Sequence, residues 1–173
     1  MNRLLVFLVF ILLTGCSVIN TRDEKNQSSV NNQSRQLTLV KYSKNDGYTD
    51  ELINFVEQVV EKNPQMGEDG KVSMNYAGAT YTIEGKEYAV FLFSNRSRQT
   101  IKNNISFDLN WAYDGQYIFE KQKILYNHDD RGDLQTDKVA IIMLEITEEQ
   151  KRIIDKMNDP KKMKLEIINL SVE

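Results

Sequence analysis

The run Ile105-Ser106-Phe107-Asp108-Leu109-Asn110-Trp111-Ala112-Tyr113 constrains the fold more than any other segment of the chain. Large apolar side chains take every odd position over this stretch, and small or polar ones take the even positions. Successive side chains of a strand point to opposite faces, so the pattern makes one wet face and one buried face. A helix would scatter the same residues around its axis. Asp114-Gly115 follows, a pair that accepts the backbone angles of a tight hairpin, and Tyr117 with Phe119 resumes the alternation. The middle of the chain therefore predicts an antiparallel sheet with one covered face.

The flanking segments extend that prediction. Residues 72–76 and 80–83 alternate in the same way, and Glu84-Gly85-Lys86 turns the chain into a strand over 88–93. Residues 139–146 are apolar on both faces, which predicts a central strand covered on each side. Leu37, Leu39 and Tyr42 predict a short first strand closed by Asn45-Asp46-Gly47, and residues 165–172 a final one. Thr49 is the expected N-cap of a helix Asp50–Lys62, whose Leu52, Phe55, Val56, Val59 and Val60 share one face. Pro64 ends that region. Thr147-Glu148-Glu149-Gln150 has capping-box spacing and predicts a second helix to about Met157, stopped by Asn158-Asp159-Pro160. Hairpin-ordered strands with so few helices exclude a doubly wound parallel sheet. The expected class is mainly β, an antiparallel immunoglobulin-like β-sandwich with one or two accessory helices. The alternative is an α+β layer, a helix packed on one antiparallel sheet.

The N-terminus carries a different kind of information. Arg3 precedes an uninterrupted apolar run over residues 4–13. As a helix, ten residues rise about 15 Å, half of a hydrocarbon core roughly 30 Å thick, so the run suits a cleaved signal peptide over 1–15. Leu13-Thr14-Gly15-Cys16 resembles the lipobox of bacterial lipoproteins: an aliphatic residue, two small ones, then cysteine. The resemblance implies diacylglyceryl on the Cys16 thiol, cleavage between Gly15 and Cys16, and anchoring on the extracytoplasmic face of the cell membrane. Two acyl chains hold firmly where one would be marginal. Residues 17–36, rich in Asn, Gln, Ser and charge, bury too little apolar surface to offset ordering and are expected to be a flexible tether. A single strand-rich domain over 37–173 follows. Cys16 is the only cysteine, which excludes an internal disulfide, and about 135 residues supply a core of their own. The Lys-, Asn- and Ile-rich composition suggests a Gram-positive host. Residues 88–172 also resemble immunoglobulin-like accessory domains of Gram-positive surface lipoproteins. That likeness lies in Phe91-Leu92-Phe93-Ser94-Asn95, the long strand Ile105–Tyr113 and a short helix before the last strand. It implies fold only.

Composition narrows the chemistry. A net charge of -3 lacks the positive footprint of a nucleic-acid binder, and the one basic cluster, Lys161, Lys162 and Lys164, reads as a solvated turn. His128, the only histidine, sits in the polar stretch 126–133 without a second histidine to share a metal. An EF-hand register starting at Asn127 places Arg131 and Lys138 where oxygen ligands are required, so that template fails. Asp129, Asp130, Asp133 and Asp137 are the remaining metal candidates, for a looser calcium site. Arg131-Gly132-Asp133 spells a tripeptide that integrins bind, although Gly-Asp also simply makes a turn. No Gly-x-Ser-x-Gly elbow or Gly-rich phosphate loop occurs, and Asp108, Asp114, Glu120 and Glu145 show no spacing that pairs them for acid–base work. The expected protein is not an enzyme, uses no cofactor, and is a lipid-anchored binding or scaffolding domain for an envelope protein or cell-wall component. One alternative is a carrier of a small apolar ligand between the helix Asp50–Lys62 and the sheet, in a cavity lined by Phe55, Val59 and sheet aromatics. The other is a calcium-binding surface module.

Overall fold

The computed structural model describes residues 35–41 and 47–173. The expected signal peptide, Cys16, the expected tether as far as residue 34, Tyr42 and the expected Asn45-Asp46 turn lie outside the described residues. The elements are β1 (Thr38–Leu39), α1 (Asp50–Lys62), β2 (Val72–Ile83), β3 (Lys86–Asn95), β4 (Ile105–Tyr113), β5 (Gln116–Tyr126), α2 (His128–Arg131), β6 (Lys138–Glu145), α3 (Glu148–Ile154) and β7 (Met163–Val172). They form a two-sheet β-sandwich, ordered β1-β6-β3-β2 in one sheet and β5-β4-β7 in the other. All strand pairs are antiparallel except β1 with β6. Immunoglobulin-type sandwiches divide four and three in the same way, as A-B-E-D and C-F-G. Here β2 to β5 take the places of D to G, whereas β6 and β7, in the places of B and C, come last in the chain.

The alternation in β4 does what its chemistry requires. Ile105, Phe107, Leu109 and Trp111 are buried, and Ser106, Asp108 and Asn110 are half-exposed. The buried set shares one core with Ala89, Phe91 and Phe93 of β3 and Ala140 and Ile142 of β6. Trp111 meets three other rings there: its ring centre lies 4.7 Å from that of Tyr76, 5.0 Å from Phe91 edge-on, and 6.0 Å from Phe119. The opposite faces of β3 and β6 are apolar as well. Val90, Leu92, Val139 and Ile141 pack against Leu52, Val56 and Val60 of α1. The helix thus covers the outer face of the larger sheet, and the sandwich and the helix-on-sheet layer coexist in one molecule.

Several boundaries differ from the sequence reading. β2 runs unbroken through Ala77-Gly78-Ala79, where three residues stand against Val90 alone. Gly78, at φ +84°, supplies the left-handed backbone that lets the ladder resume. α3 opens with the expected capping box at Thr147 but ends at Ile154, not Met157. The Tyr113 hydroxyl accepts the N–H of Asn158 (3.2 Å) and of Asp159 (3.3 Å) and donates to Asn158 Oδ1 (2.9 Å), fixing the turn beyond it. Residues 128–131 form the single turn α2, capped by Asn127, instead of an open loop. Arg35, within the expected tether, pairs with Asp137 at 2.7 Å, so the domain's contacts begin before Leu37.

Candidate binding cleft

Three of the four candidate metal ligands are drawn to different partners, while Asp129 lies 3.7 Å from Nδ1 of the same His128 that Asp133 holds. Asp133 Oδ1 lies 2.8 Å from His128 Nε2, Asp130 accepts from Asn127 Nδ2 at 2.6 Å, and Asp137 accepts from Arg35 Nε at 2.7 Å. The Asp129 side chain is 87% exposed. Among the described residues no three His, Cys, Asp or Glu side chains come close enough to hold one ion. Excess calcium, or a chelator, is expected to leave the thermal midpoint unchanged; a fall of several degrees with chelator would restore the calcium reading. Arg131 of the Arg-Gly-Asp tripeptide donates to the Ile141 carbonyl at 2.9 Å and to the Tyr48 hydroxyl at 3.1 Å, which folds it back onto β6.

The hydrogen bond to Asp133, helped by the Asp129 carboxylate 3.7 Å from Nδ1, raises the His128 pKa above its ordinary value of 6.5. A raised histidine pKa means the folded state favours the charged form. The stabilisation is therefore full below the unfolded pKa and is lost as pH rises through the folded one. NMR titration of the lone imidazole is expected to give a pKa above 6.5 that falls back toward it in Asp133→Asn. An unchanged value in that variant would remove Asp133 as the cause.

One concave site of the domain lies along the edge of β2. A cleft of about 850 Å³ has residues 74–78 as its floor. Val59, Lys62 and the loop 63–67 at the end of α1 form one wall, and Met163 and Leu165 of β7 the other. Met74 and Tyr76 belong to the core between the sheets, and Ala77 to the layer under the helix. The cleft therefore straddles the edge of the sheet. Met66, Met74 and Met163 give it soft, adaptable apolar surface. Asn75 Nδ2 is buried there without a hydrogen-bond partner among the described residues. Burial, and secondarily Asp155, push the Tyr76 phenol up to about 12, so it stays a neutral hydroxyl at physiological pH. The space beneath α1 itself is filled, since Leu52, Val56 and Val60 are at most 2% exposed. Val59 reaches the cleft at the helix end; Phe55, expected beside it, does not line it.

The cleft wall hangs on Arg96, a residue the sequence reading passes over. Its side chain is 3% exposed, at the end of a Ser94-Asn95-Arg96 stretch that is buried throughout. Nε donates to Asp69 Oδ1 at 2.8 Å, Nη1 to the Pro64 carbonyl, and Nη2 to the Arg35 carbonyl and Gln65 Oε1, each at 3.3 Å. Gly67 lies under the same fork with φ +85°, and a Cβ there would stand 2.8 Å from Ser94 Oγ. Gly67→Ala combines left-handed strain with that clash, and is expected to cost about 1–3 kcal/mol, read from urea unfolding.

Fold and site together define a two-sheet β-sandwich with a helix on its larger sheet and an open cleft at that sheet's edge. No protein-family model matches the chain, and no curated protein or solved structure matches it. Among the described residues no helix is long and apolar enough to cross a membrane.

Proposed function

We propose that the chain is a lipid-anchored, noncatalytic binding or scaffolding domain on the extracytoplasmic face of a Gram-positive cell membrane. Diacylglyceryl on Cys16 holds it there, and a cell-envelope protein or wall component is its partner. The observation that carries the binding role is the cleft beside β2, mixed in polarity and fed by both cores. The anchor rests on Leu13-Thr14-Gly15-Cys16. Twenty coil residues after it would reach on the order of 25 Å, enough to lift the cleft clear of the headgroups.

Two measurements test the two halves of the reading. A metabolic acyl probe is expected to label the wild-type protein and not Cys16→Ala; equal labelling of both removes the anchor. A photo-crosslinking amino acid at Gln65, on the cleft wall, is expected to give a discrete product in intact cells, and the same group at Glu120 on β5 none. Identical patterns from both positions would remove the cleft as the binding site.

A further inference from the structure

The sandwich has four edge strands, and three of them are guarded. β1 is two residues long, β5 carries Glu120, Lys121 and Lys123, and β7 carries Lys164 and Glu166. Short strands and charges are the usual devices that keep a row of unpaired backbone groups from capturing another chain. β2 has neither. Its twelve residues contain no charge and no proline, and among the described residues β3 is its only ladder partner. The one device it has is the bulge at 77–79, which divides the edge but leaves residues 72–76 regular.

We propose that the β2 edge is the recognition element of the cleft and takes up an extended peptide segment of a partner protein as an added strand. This deepens the binding role assigned to the cleft and rests on it. Backbone N–H and C=O groups of β2 would bond the incoming strand, while its alternate side chains enter the two sides of the cleft. One set meets Met163 and Leu165 at the mouth of the sandwich; the other meets Pro64 and Met66 on the helix side. The methionines adapt to apolar side chains of varied shape. Among the described residues Lys62 is the only charged one lining the cleft, so the complementary peptide is apolar with one acidic group near that wall. A second copy of this chain fits less well. The β2 edge lies on the floor of the cleft between two walls, where a bare strand enters but an equally recessed edge does not reach.

The test uses the full chain in detergent micelles and a library of random dodecapeptides displayed on phage. Enriched sequences are expected to alternate apolar residues and to carry an acid. A synthetic peptide of the enriched sequence is then titrated by the emission of Trp111, whose ring is 4.7 Å from the ring of the cleft-lining Tyr76. N-methylation of single peptide amides is expected to weaken binding by about tenfold at every second residue and little at those between, because only alternate amides face β2. Asn75→Lys, which puts a charge on the edge, is expected to abolish binding, with circular dichroism checking that the variant is folded. Lys62→Glu is expected to weaken binding of the acidic peptide by no more than about fivefold, as an exposed pair does. A peptide that binds equally well however it is methylated would overturn strand addition and leave the cleft standing as a binding site. So would failure to enrich any sequence while the Gln65 crosslink persists. A dimer that protects the β2 amides from hydrogen exchange would overturn the inference in favour of self-pairing. Loss of both peptide capture and crosslink would remove the binding role itself.

Discussion

Trp111→Ala is expected to destabilise the domain by about 3–5 kcal/mol, as truncation of large core aromatics does. The indole is fully buried and is ringed by Tyr76, Phe91 and Phe119, which come from β2, β3 and β5 of both sheets. Removing it opens a cavity at the point where the two sheets meet, and rigid rings around it do not collapse to fill the space. Among the described residues its Nε1 has no hydrogen-bond partner, so truncation takes away no hydrogen bond from them. Trp111→Phe should therefore cost clearly less than the alanine variant: it keeps a ring in place and relieves an unpaired buried donor. Urea unfolding followed by circular dichroism measures both, and the wild-type emission should be blue-shifted and move red on unfolding. A cost below about 1 kcal/mol for Trp111→Ala, with water-like native emission, would place the residue on the surface.

What the sequence made legible follows from what is periodic in it. The β4 alternation, the amphipathic α1 with its Thr49 cap and the Thr147 capping box are local patterns, and each appears in the structure where it reads. The doubly buried character of 139–146 is likewise explained, since α1 covers one face of β6 and the small sheet the other. Pairing partners are not local. Nothing in Thr38-Leu39 announces a parallel bridge to β6, and nothing in the order of hairpins announces that β6 and β7 return to the middle of one sheet and the edge of the other. The cleft was illegible for the same reason: its floor, walls and mouth come from residues 59–67, 74–78 and 163–165. The conspicuous residues of 127–137 misdirected attention, because density of charge along a chain does not imply convergence in space. Asp133, Asp130 and Asp137 each bond a different neighbour. Arg96 shows the converse. A single arginine after an apolar strand looks like a surface residue, and only the folded loop turns its fork inward.

Arg96→Ala is expected to cost about 2–3 kcal/mol and to loosen the cleft wall. Four acceptors lose the guanidinium, but they do not weigh equally. Asp69 is 81% exposed and rehydrates when the guanidinium goes, so that ion pair contributes little. The carbonyls of Pro64 and Arg35 are the larger loss, because the fork reaches both from a buried position, although Pro64 keeps the Leu37 N–H at 3.3 Å. Relief of the desolvated guanidinium offsets part of this, which keeps the figure at the modest end for a buried charge. Arg96→Lys should not restore stability, since one ammonium does not span acceptors on Pro64, Gln65 and Arg35. Arg96→Met keeps the apolar stem and loses the fork; if it matches alanine, the hydrogen bonds carry the effect. Backbone hydrogen exchange separates wall from core. The Gly70 N–H bonds the Arg96 carbonyl and the Arg96 N–H bonds the Lys71 carbonyl, so residues 65–70 should exchange faster in the variant while β4 stays protected. Equal protection of 65–70 in wild type and variant, together with a cost below about 1 kcal/mol, would mean that the wall stands without Arg96.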